Sequence, residues 1–272
     1  MPAPVILITG AAGNLGRKLA THFQSKGRTL VLLDAVAQPT GHGVEIADLS
    51  RWDDWAERFR GVDCVIHLAG DAKVHADWES VASNNIDATL NVFEAASRHG
   101  VGRIVFASSV WVMEGHSKSL AAITEDLMPL PVNAYGASKL AGERIGRFFS
   151  QTYGLSVICF RIGACFPDPD NHPGLHLGGS FWAQRKWLSN GDLCRAFERA
   201  VDAPGSVRFE VLNLISQNQG MRWDMSKAER VLGFRPEDVS VPVAPGPWRR
   251  FTRRLKKMFG LGKMKLGPRI AR

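Results

Sequence analysis

A tyrosine and a lysine stand four residues apart in the stretch Tyr135-Gly-Ala-Ser-Lys139. On a helix this spacing places the phenol and the ammonium group on one face. The positive charge of the lysine favours the phenolate and so lowers the pKa of the phenol. A phenol whose pKa lies near neutrality can accept the proton of an alcohol as a general base. The alternative is an ordinary surface pair that stabilises the helix by roughly 0.2–0.5 kcal/mol.

Three glycines, Gly10, Gly13 and Gly16, stand between an apolar run and an amphipathic stretch. The first allows a tight turn, the second lets the backbone approach a pyrophosphate, and the third lets helix and strand pack closely. Asp34 ends the next apolar run, where its carboxylate can accept hydrogen bonds from ribose hydroxyls and would repel a 2′-phosphate. Together these residues predict a dinucleotide site that prefers NAD to NADP.

Asp48 and Leu49 follow the third apolar run. Asp48 is either the cap of a helix beginning at Ser50 or a contact to the adenine of the dinucleotide. The sequence alone leaves both interpretations open.

Short apolar runs alternate with amphipathic stretches, and this pattern must position the residues above. Strands are predicted at residues 5–8, 30–33, 44–46, 64–68, 103–107, 156–160 and 209–215, and helices at residues 17–26, 51–60, 78–99, 135–150, 190–201 and 226–232. Because successive parallel strands require a crossover, usually a helix, the alternation predicts an α/β fold with a doubly wound parallel sheet of the Rossmann type.

The chain divides into three predicted regions. Residues 1–160 are the NAD-binding Rossmann domain, and residues 161–247 are a small substrate-binding part that caps the strand ends. Within the second region, residues 164–182 are rich in Pro, Gly and His and are predicted to form a loop. Residues 248–272 form a basic amphipathic tail.

The composition excludes several classes of protein. Hydrophobic residues make up 45% of the chain, enough for a folded core, and four cysteines without a C-x-x-C pair do not predict a disulfide framework. Ten of the 34 Lys and Arg lie in residues 248–272, which hold no acidic residue, so residues 1–247 carry a net charge of −2. An acidic body argues against nucleic-acid binding. No secretory signal or transmembrane run is apparent, so we expect a cytoplasmic protein.

The tail has apolar residues on one helical face and basic residues on the other, over residues 249–261. This pattern is typical of a helix on an anionic membrane surface, here the inner membrane surface. The alternatives are docking on a second subunit and a solvated, disordered tail.

These motifs together resemble the extended short-chain dehydrogenase/reductase family, of NAD-dependent epimerase/dehydratase type, over about residues 4–245. The matching stretches are Thr9-Gly-Ala-Ala-Gly-Asn-Leu-Gly16, Asp34, Asp48-Leu49, His67-Leu-Ala-Gly70, Ser108-Ser109 and Tyr135-Gly-Ala-Ser-Lys139. The nearest subgroup is uronate dehydrogenase, which the substrate-side stretches Phe160-Arg-Ile-Gly163, Trp187-Leu-Ser189 and Leu232-Gly-Phe-Arg-Pro236 resemble.

The resemblance implies a role for each matching residue. Tyr135 is the general base, Lys139 holds the ribose and tunes Tyr135, and Ser109 binds the reacting oxygen, with Ser108 as the alternative. The implied NAD contacts are Gly10, Gly13, Asn14, Leu15, Gly16, Asp34, Asp48, Leu49, Leu68, Ala69, Gly70, Asn85, Tyr135, Lys139 and Ile162. The implied substrate contacts are Lys73, Ser109, Val110, Trp111, Cys165, Phe166 and Arg185. No histidine or cysteine spacing predicts a metal site.

Departures from the subgroup bear on the substrate. Val110-Trp111 stands where uronate dehydrogenases have Asn-His, and Trp182 falls near the arginine that grips the uronate carboxylate, which makes Arg185 the nearest candidate. Trp111 and Trp182 are either sugar-stacking platforms or packing residues. We therefore expect oxidation of a hydroxyl of a small sugar or sugar acid. The alternatives are a (nucleotide-)sugar epimerase that keeps NAD bound and a non-catalytic NAD-binding protein at a membrane surface.

The family also implies a quaternary structure. Its members commonly pair through two long helices, here residues 78–98 and 135–150, so the resemblance predicts a homodimer.

Overall fold

A seven-stranded parallel sheet lies at the centre of the computed structural model, which describes residues 4–36, 43–119, 121–174, 176 and 180–243. The strands are β1 (Ile6–Thr9), β2 (Leu30–Asp34), β3 (Glu45–Ile46), β4 (Cys64–His67), β5 (Arg103–Ser109), β6 (Ser156–Ile162) and β7 (Phe209–Leu214). Their order is β3-β2-β1-β4-β5-β6-β7, so the direction of winding reverses between β1 and β4. The predicted doubly wound parallel sheet is confirmed.

Helices cover both faces of this sheet. They are α1 (Asn14–Ser25), α2 (Trp78–Val81), α3 (Ala88–Arg98), α4 (Ala134–Tyr153), α5 (Phe181–Gln184), α6 (Asn190–Val201) and α7 (Ser226–Leu232). Two 3₁₀ helices span Asp54–Phe59 and Val110–Lys118, and a π-helical turn over Ala82–Asp87 joins α2 to α3. A short parallel pair, β8 (Gln217–Asn218) and β9 (Val239–Ser240), lies outside the sheet.

Alternation along the strands divides the core into two layers. Ile6 and Ile8 of β1 belong to a cluster that includes apolar residues of α1, α6 and α7, whereas Leu7 belongs to a cluster with α3 and α4. Successive side chains of a strand point to opposite faces, so strands that are covered on both sides are apolar throughout. Full burial of each large side chain contributes about 1.5–3 kcal/mol.

Four local predictions differ from the structure. The helix expected at 51–60 is the shorter 3₁₀ helix, because the Asp48 carboxylate accepts from the Ser50 amide and closes a turn before it. Asp53, not Asp48, caps this helix, so the helix-cap interpretation of Asp48 is wrong. The helix expected at 78–99 contains the π-helical turn, and the loop expected at 164–182 ends in α5.

The region predicted to bind substrate is partly built into the sheet. Strand β7 pairs with β6 along its full length, and Leu193 and Phe197 of α6 pack in the same cluster as β1. Ala228 and Leu232 of α7 belong to that cluster as well. The predicted tail, 248–272, lies outside the described residues. Within the part of the chain that is described, no helix is long and apolar enough to cross a membrane.

Candidate functional site

A cavity of about 600 Å³ opens at the carboxyl ends of the central strands. In doubly wound sheets ligands bind at this edge, where the strand order reverses. The sequence-predicted residues that line it are Gly10, Gly13, Asn14, Leu15, Gly16, Leu68, Gly70, Ser109, Val110, Trp111, Tyr135, Lys139, Ile162, Cys165 and Phe166. An adjoining hollow of about 500 Å³ shares Gly13 and Gly70 with it and is lined by Asp34, Asp48, Leu49, Ala69 and Lys73.

The glycine turn after β1 has no room for side chains. Gly10 has a φ of +70°, and a Cβ atom there would lie 2.8 Å from the amide nitrogen of Ala69. A Cβ atom on Gly16 would lie 2.2 Å from the carbonyl oxygen of Gly10. Helix α1 begins after Gly13, so the positive end of its dipole lies at the cavity. This cradle fits the diphosphate of a dinucleotide.

Asp34 is held at the edge of the adjoining hollow by backbone donors. Its two carboxylate oxygens accept hydrogen bonds from the amides of Ala12 at 2.9 Å and Val36 at 3.1 Å. Each oxygen has a second lone pair with which to accept a ribose hydroxyl. The structure therefore fits the adenosine half of NAD at Asp34, beside Asp48 and Leu49.

His67, at the end of β4, is fully buried beneath the cavity. Its two ring nitrogens lie 2.7 Å from the Thr9 hydroxyl and 3.0 Å from the Thr89 hydroxyl. Burial, and then the positive charge of Lys139, lower the pKa of His67 to about 3. A neutral imidazole therefore holds the start of the loop that follows β4.

This buried histidine makes stability depend on pH. Between pH 6.5, its ordinary pKa, and about pH 3, the unfolded chain binds a proton that the folded protein does not. The group therefore lowers the free energy of unfolding by about 1.4 kcal/mol for each unit of falling pH in that window. We expect urea unfolding at pH 7.5, 6 and 5 to show this loss and His67→Gln to have a shallower slope. His75→Gln, at an exposed site, is the control. Equal slopes for His67→Gln and the wild type would contradict this account.

Asn85 supports the loop after β4 from behind. The side chain is buried, its oxygen accepts from the Asp71 amide at 2.7 Å, and its amino group donates to the Ser138 hydroxyl at 2.9 Å. A Cβ atom on Gly70 would lie 2.8 Å from the Asn85 Oδ1 atom. Asn85 thus supports the wall of the predicted cofactor groove from outside, and it is not among the described residues that line either hollow.

Tyr135 and Lys139, paired by their spacing, meet Ser109, which the resemblance implied, in the lining of the cavity. Burial raises the pKa of the Tyr135 phenol, and a hydrogen bond with the Ser109 side chain acts in the opposite direction. Burial lowers the pKa of Lys139 to about 8, and its ammonium nitrogen lies 5.9 Å from the centre of the Tyr135 ring. The expected lowering of the phenol pKa is not found in the structure, because desolvation outweighs the neighbouring groups.

The structure separates the roles of the two adjacent serines. The Ser108 hydroxyl donates to the Glu143 carboxylate at 2.6 Å, and both oxygens of Glu143 accept from Arg161 at 2.9 Å. Because successive residues of β5 point to opposite faces, Ser109 is the serine that contacts Tyr135. Ser108 also lines the cavity, but its hydroxyl is engaged by a buried ionic cluster beneath it.

The substrate side of the cavity differs from the prediction at two cations. Lys73 lines the adjoining hollow with Asp34 and not the cavity. Arg185 lines neither hollow: its guanidinium packs 5.5 Å from the centre of the Phe181 ring and against Gly220. The next residue, Lys186, lines the cavity instead and was missed. The available signal was its place directly before Trp187-Leu-Ser189, a substrate-side stretch that resembles uronate dehydrogenases. Trp182 stacks on Trp223 at 4.5 Å, whereas Trp111 lines the cavity.

Helix α1 holds the loop that follows β6. The side-chain amide of Asn14 donates to the carbonyl oxygen of Cys165 at 2.9 Å, and the Lys18 ammonium donates to the carbonyl oxygen of Phe166 at 2.5 Å. The loop thereby closes over the same helix end that forms the glycine cradle. Among the described residues, no group of three or more His, Cys, Asp or Glu is placed to hold a metal ion.

Comparison with known proteins agrees with this geometry. The model of the NAD-dependent epimerase/dehydratase family matches residues 6–174. Uronate dehydrogenase from Pseudomonas syringae pv. tomato is 34% identical over 239 residues, covering 86% of this chain and 82% of that protein. L-arabinose 1-dehydrogenase (NAD(P)(+)) from Haloferax volcanii is 32% identical over 251 residues, covering 88% and 98%. A solved variant of uronate dehydrogenase from Agrobacterium tumefaciens, complexed with NAD, is 28% identical with a TM-score of 0.74, over 94% of this chain and 90% of that one.

Proposed function

Because the chain belongs to the NAD-dependent epimerase/dehydratase family, we propose that it oxidises one hydroxyl of a small sugar or sugar acid, with NAD as the acceptor. The predicted family, enzyme class and cofactor are confirmed by these relatives. The observation that carries the proposal is the meeting of Ser109, Tyr135 and Lys139 in one cavity with the glycine cradle. A protein that only binds a dinucleotide does not need this proton-transfer set.

In this proposal each group has a distinct task. NAD, held by the glycine cradle and Asp34, would supply the acceptor for a hydride from the substrate carbon. Tyr135 takes the proton of the substrate hydroxyl, and Ser109 donates a hydrogen bond to the same oxygen. Lys139 holds the nicotinamide-side ribose and keeps a positive charge near the phenol. The glycine cradle binds the diphosphate, and Asp34 binds the adenosine ribose.

The remaining walls of the cavity suit a single sugar ring. Trp111 offers an aromatic face, and Val110, Cys165 and Phe166 complete the apolar part of the wall. Sugar rings present C–H faces that pack on such surfaces while their hydroxyls find polar partners. Ser109, Tyr135 and Lys186 supply polar partners in the same cavity.

The decisive experiment follows NADH absorbance at 340 nm with NAD and a panel of aldoses, uronic acids, sugar phosphates and nucleotide sugars. The proposal requires stoichiometric NADH with at least one free sugar or sugar acid. Conversion of a sugar without net NADH, with NAD retained on the protein, would support the epimerase instead. No NADH formation and no sugar conversion with any compound, together with tight NAD binding, would support the non-catalytic alternative.

The carboxylate of Asp34 is expected to set the preference for NAD over NADP. Asp34→Asn removes the charge that repels a 2′-phosphate and weakens the acceptor for ribose hydroxyls, so the ratio of kcat/KM for NAD to that for NADP falls by about tenfold. The control is Asp63→Asn, because Asp63 also accepts from a backbone amide, that of Val5 at 2.8 Å, but at the opposite ends of the strands. An unchanged ratio in Asp34→Asn would refute the assignment.

We also propose a homodimer that pairs through the long helices at residues 78–98 and 134–153. Support comes from Leu90 on α3 and Phe148 on α4, two large apolar side chains that are about half exposed in the single chain.

For residues 249–261 we propose contact with the anionic, cytoplasmic face of the inner membrane. That proposal rests on their charge pattern alone, since they lie outside the described residues.

A further inference from the structure

Lys186, in the wall of the cavity, forms an ion pair with Glu114, a carboxylate to which the proposed reaction gives no task. The Lys186 ammonium lies 2.9 Å from one oxygen of the Glu114 carboxylate, and the two side chains are 9% and 15% exposed. The other oxygen of Glu114 accepts a hydrogen bond from the Trp182 indole at 2.8 Å. Both carboxylate oxygens are therefore engaged, and Glu114 is held in one orientation.

The positive charge of Lys186 is compensated by Glu114, on the side away from the cavity. Lys186 is among the residues that line the cavity, whereas Glu114 is not. The ammonium nitrogen also lies 4.9 Å from the centre of the Trp111 ring and 5.3 Å from that of Trp182, distances at which the ring faces attract a cation. A ligand in the cavity thus meets an ammonium whose charge is already compensated by a carboxylate and two indole rings.

The other cations near the cavity do not change this balance. Of the described residues that line it, only Lys139 and Lys186 are positively charged, and Lys139 lies next to Tyr135. Arg185 packs on Phe181, and Lys18 donates to the carbonyl oxygen of Phe166. Arg222 lies 4.6 Å from the centre of the Trp182 ring and donates to the carbonyl oxygens of His116 and Ser117. A guanidinium, which would grip a carboxylate with two parallel hydrogen bonds, is absent from the described lining.

We infer that Glu114 sets the charge of the accepted substrate, so that this enzyme oxidises neutral aldoses in preference to uronates and sugar phosphates. An anionic group at Lys186 would compete with Glu114 for one ammonium and bring two negative charges together in a poorly hydrated wall. A hydroxyl needs only one of the remaining N–H donors of the ammonium and leaves the ion pair intact. The inference rests on the proposed function and narrows its substrate class.

The test compares sugars that differ only in the charged group. We would measure kcat/KM with NAD for D-glucose, D-glucuronate and D-glucose 6-phosphate, and for D-galactose and D-galacturonate. The wild type is expected to favour the neutral sugar of each set by at least about tenfold. Glu114→Gln releases the charge of Lys186, so the ratio of anionic to neutral kcat/KM rises about 10- to 100-fold, mainly through a lower KM for the anionic sugar.

A second variant and a control keep the result interpretable. Lys186→Gln leaves Glu114 without its cation, so the same ratio falls below that of the wild type. Opposite shifts in the two variants cannot arise from a general loss of folding. Glu210→Gln is the matched control, because Glu210 pairs with Lys227 at the same 2.9 Å distance away from the cavity, and it should leave the ratio unchanged.

The outcomes separate the two proposals. A wild-type preference for uronate or sugar phosphate, or shifts of the ratio in one direction for both variants, would overturn the role of Glu114 while the dehydrogenase remains. An absence of NADH with every sugar would instead overturn the proposed function, and the inference would fall with it.

Discussion

Replacing Tyr135 by phenylalanine is expected to lower kcat by about 10²- to 10⁴-fold, the usual contribution of a positioned general base. The phenol oxygen is the only part that this change removes, and the buried ring keeps its packing. Because the loss concerns proton transfer, NAD binding should change little. The measurement is NADH formation with the best substrate of the panel, alongside NAD affinity by titration.

Tyr153→Phe provides a control within the same helix. Tyr153 is the second of only two tyrosines in the chain, lies at the carboxyl end of α4 and is 56% exposed. It should retain wild-type kcat. Retention of full activity by Tyr135→Phe would exclude the phenol as the base and, with it, the proposed mechanism.

The largest loss of stability is expected at the ionic cluster beneath the cavity. Arg161 and Glu143 are 3% and 4% exposed and form two hydrogen bonds with each other, and Ser108 donates to the same carboxylate. Arg161→Met leaves the Glu143 charge buried without its cation, which costs about 3–5 kcal/mol of unfolding free energy. Denaturant unfolding by circular dichroism at neutral pH measures this loss.

Two further variants locate the cause of that loss. The double variant Arg161→Met with Glu143→Leu removes both charges and should recover most of the stability, since apolar replacement of a buried pair is often neutral. Arg98→Met, which breaks an exposed pair with Glu94, should cost less than about 1 kcal/mol. A small loss in Arg161→Met, or no recovery in the double variant, would show that the ion pair is not what stabilises this region.

Features that depend on local spacing were predictable from the sequence. The glycine turn, the strand that ends at Asp34 and the pairing of Tyr135 with Lys139 each rest on neighbouring residues. The choice between Ser108 and Ser109 was open because it depends on which face of β5 each residue occupies. Only the packing of Glu143 and Arg161 against that strand settles which hydroxyl contacts Tyr135.

The substrate wall was less predictable because its partners are distant in the chain. Lys186 and Glu114 are 72 residues apart, and no spacing rule joins a 3₁₀ helix after β5 to a residue that follows α5. Arg185 was the more obvious candidate on grounds of chemistry. The short helix α5 ends just before it, at Gln184, and the chain then turns so that Lys186, not Arg185, lines the cavity. The π-helical turn at Ala82–Asp87 also escaped prediction, because the helical pattern of the sequence continues through it.

The joint between α1 and the loop after β6 has a consequence for how this enzyme can diverge. Asn14 and Lys18 hold that loop through the carbonyl oxygens of Cys165 and Phe166, and a carbonyl is the same in every residue. These two main-chain contacts therefore persist whichever side chains stand at residues 165 and 166, although Cys165 also meets Lys18 through its sulfur, 3.7 Å from the ammonium. Single substitutions in the loop can therefore change substrate specificity. The cofactor groove is built mainly from earlier parts of the chain, so selection for NAD binding acts mostly on other residues. A library confined to residues 164–166 and 186 would vary the substrate wall of the cavity while the glycine turn and Asp34 stay unchanged.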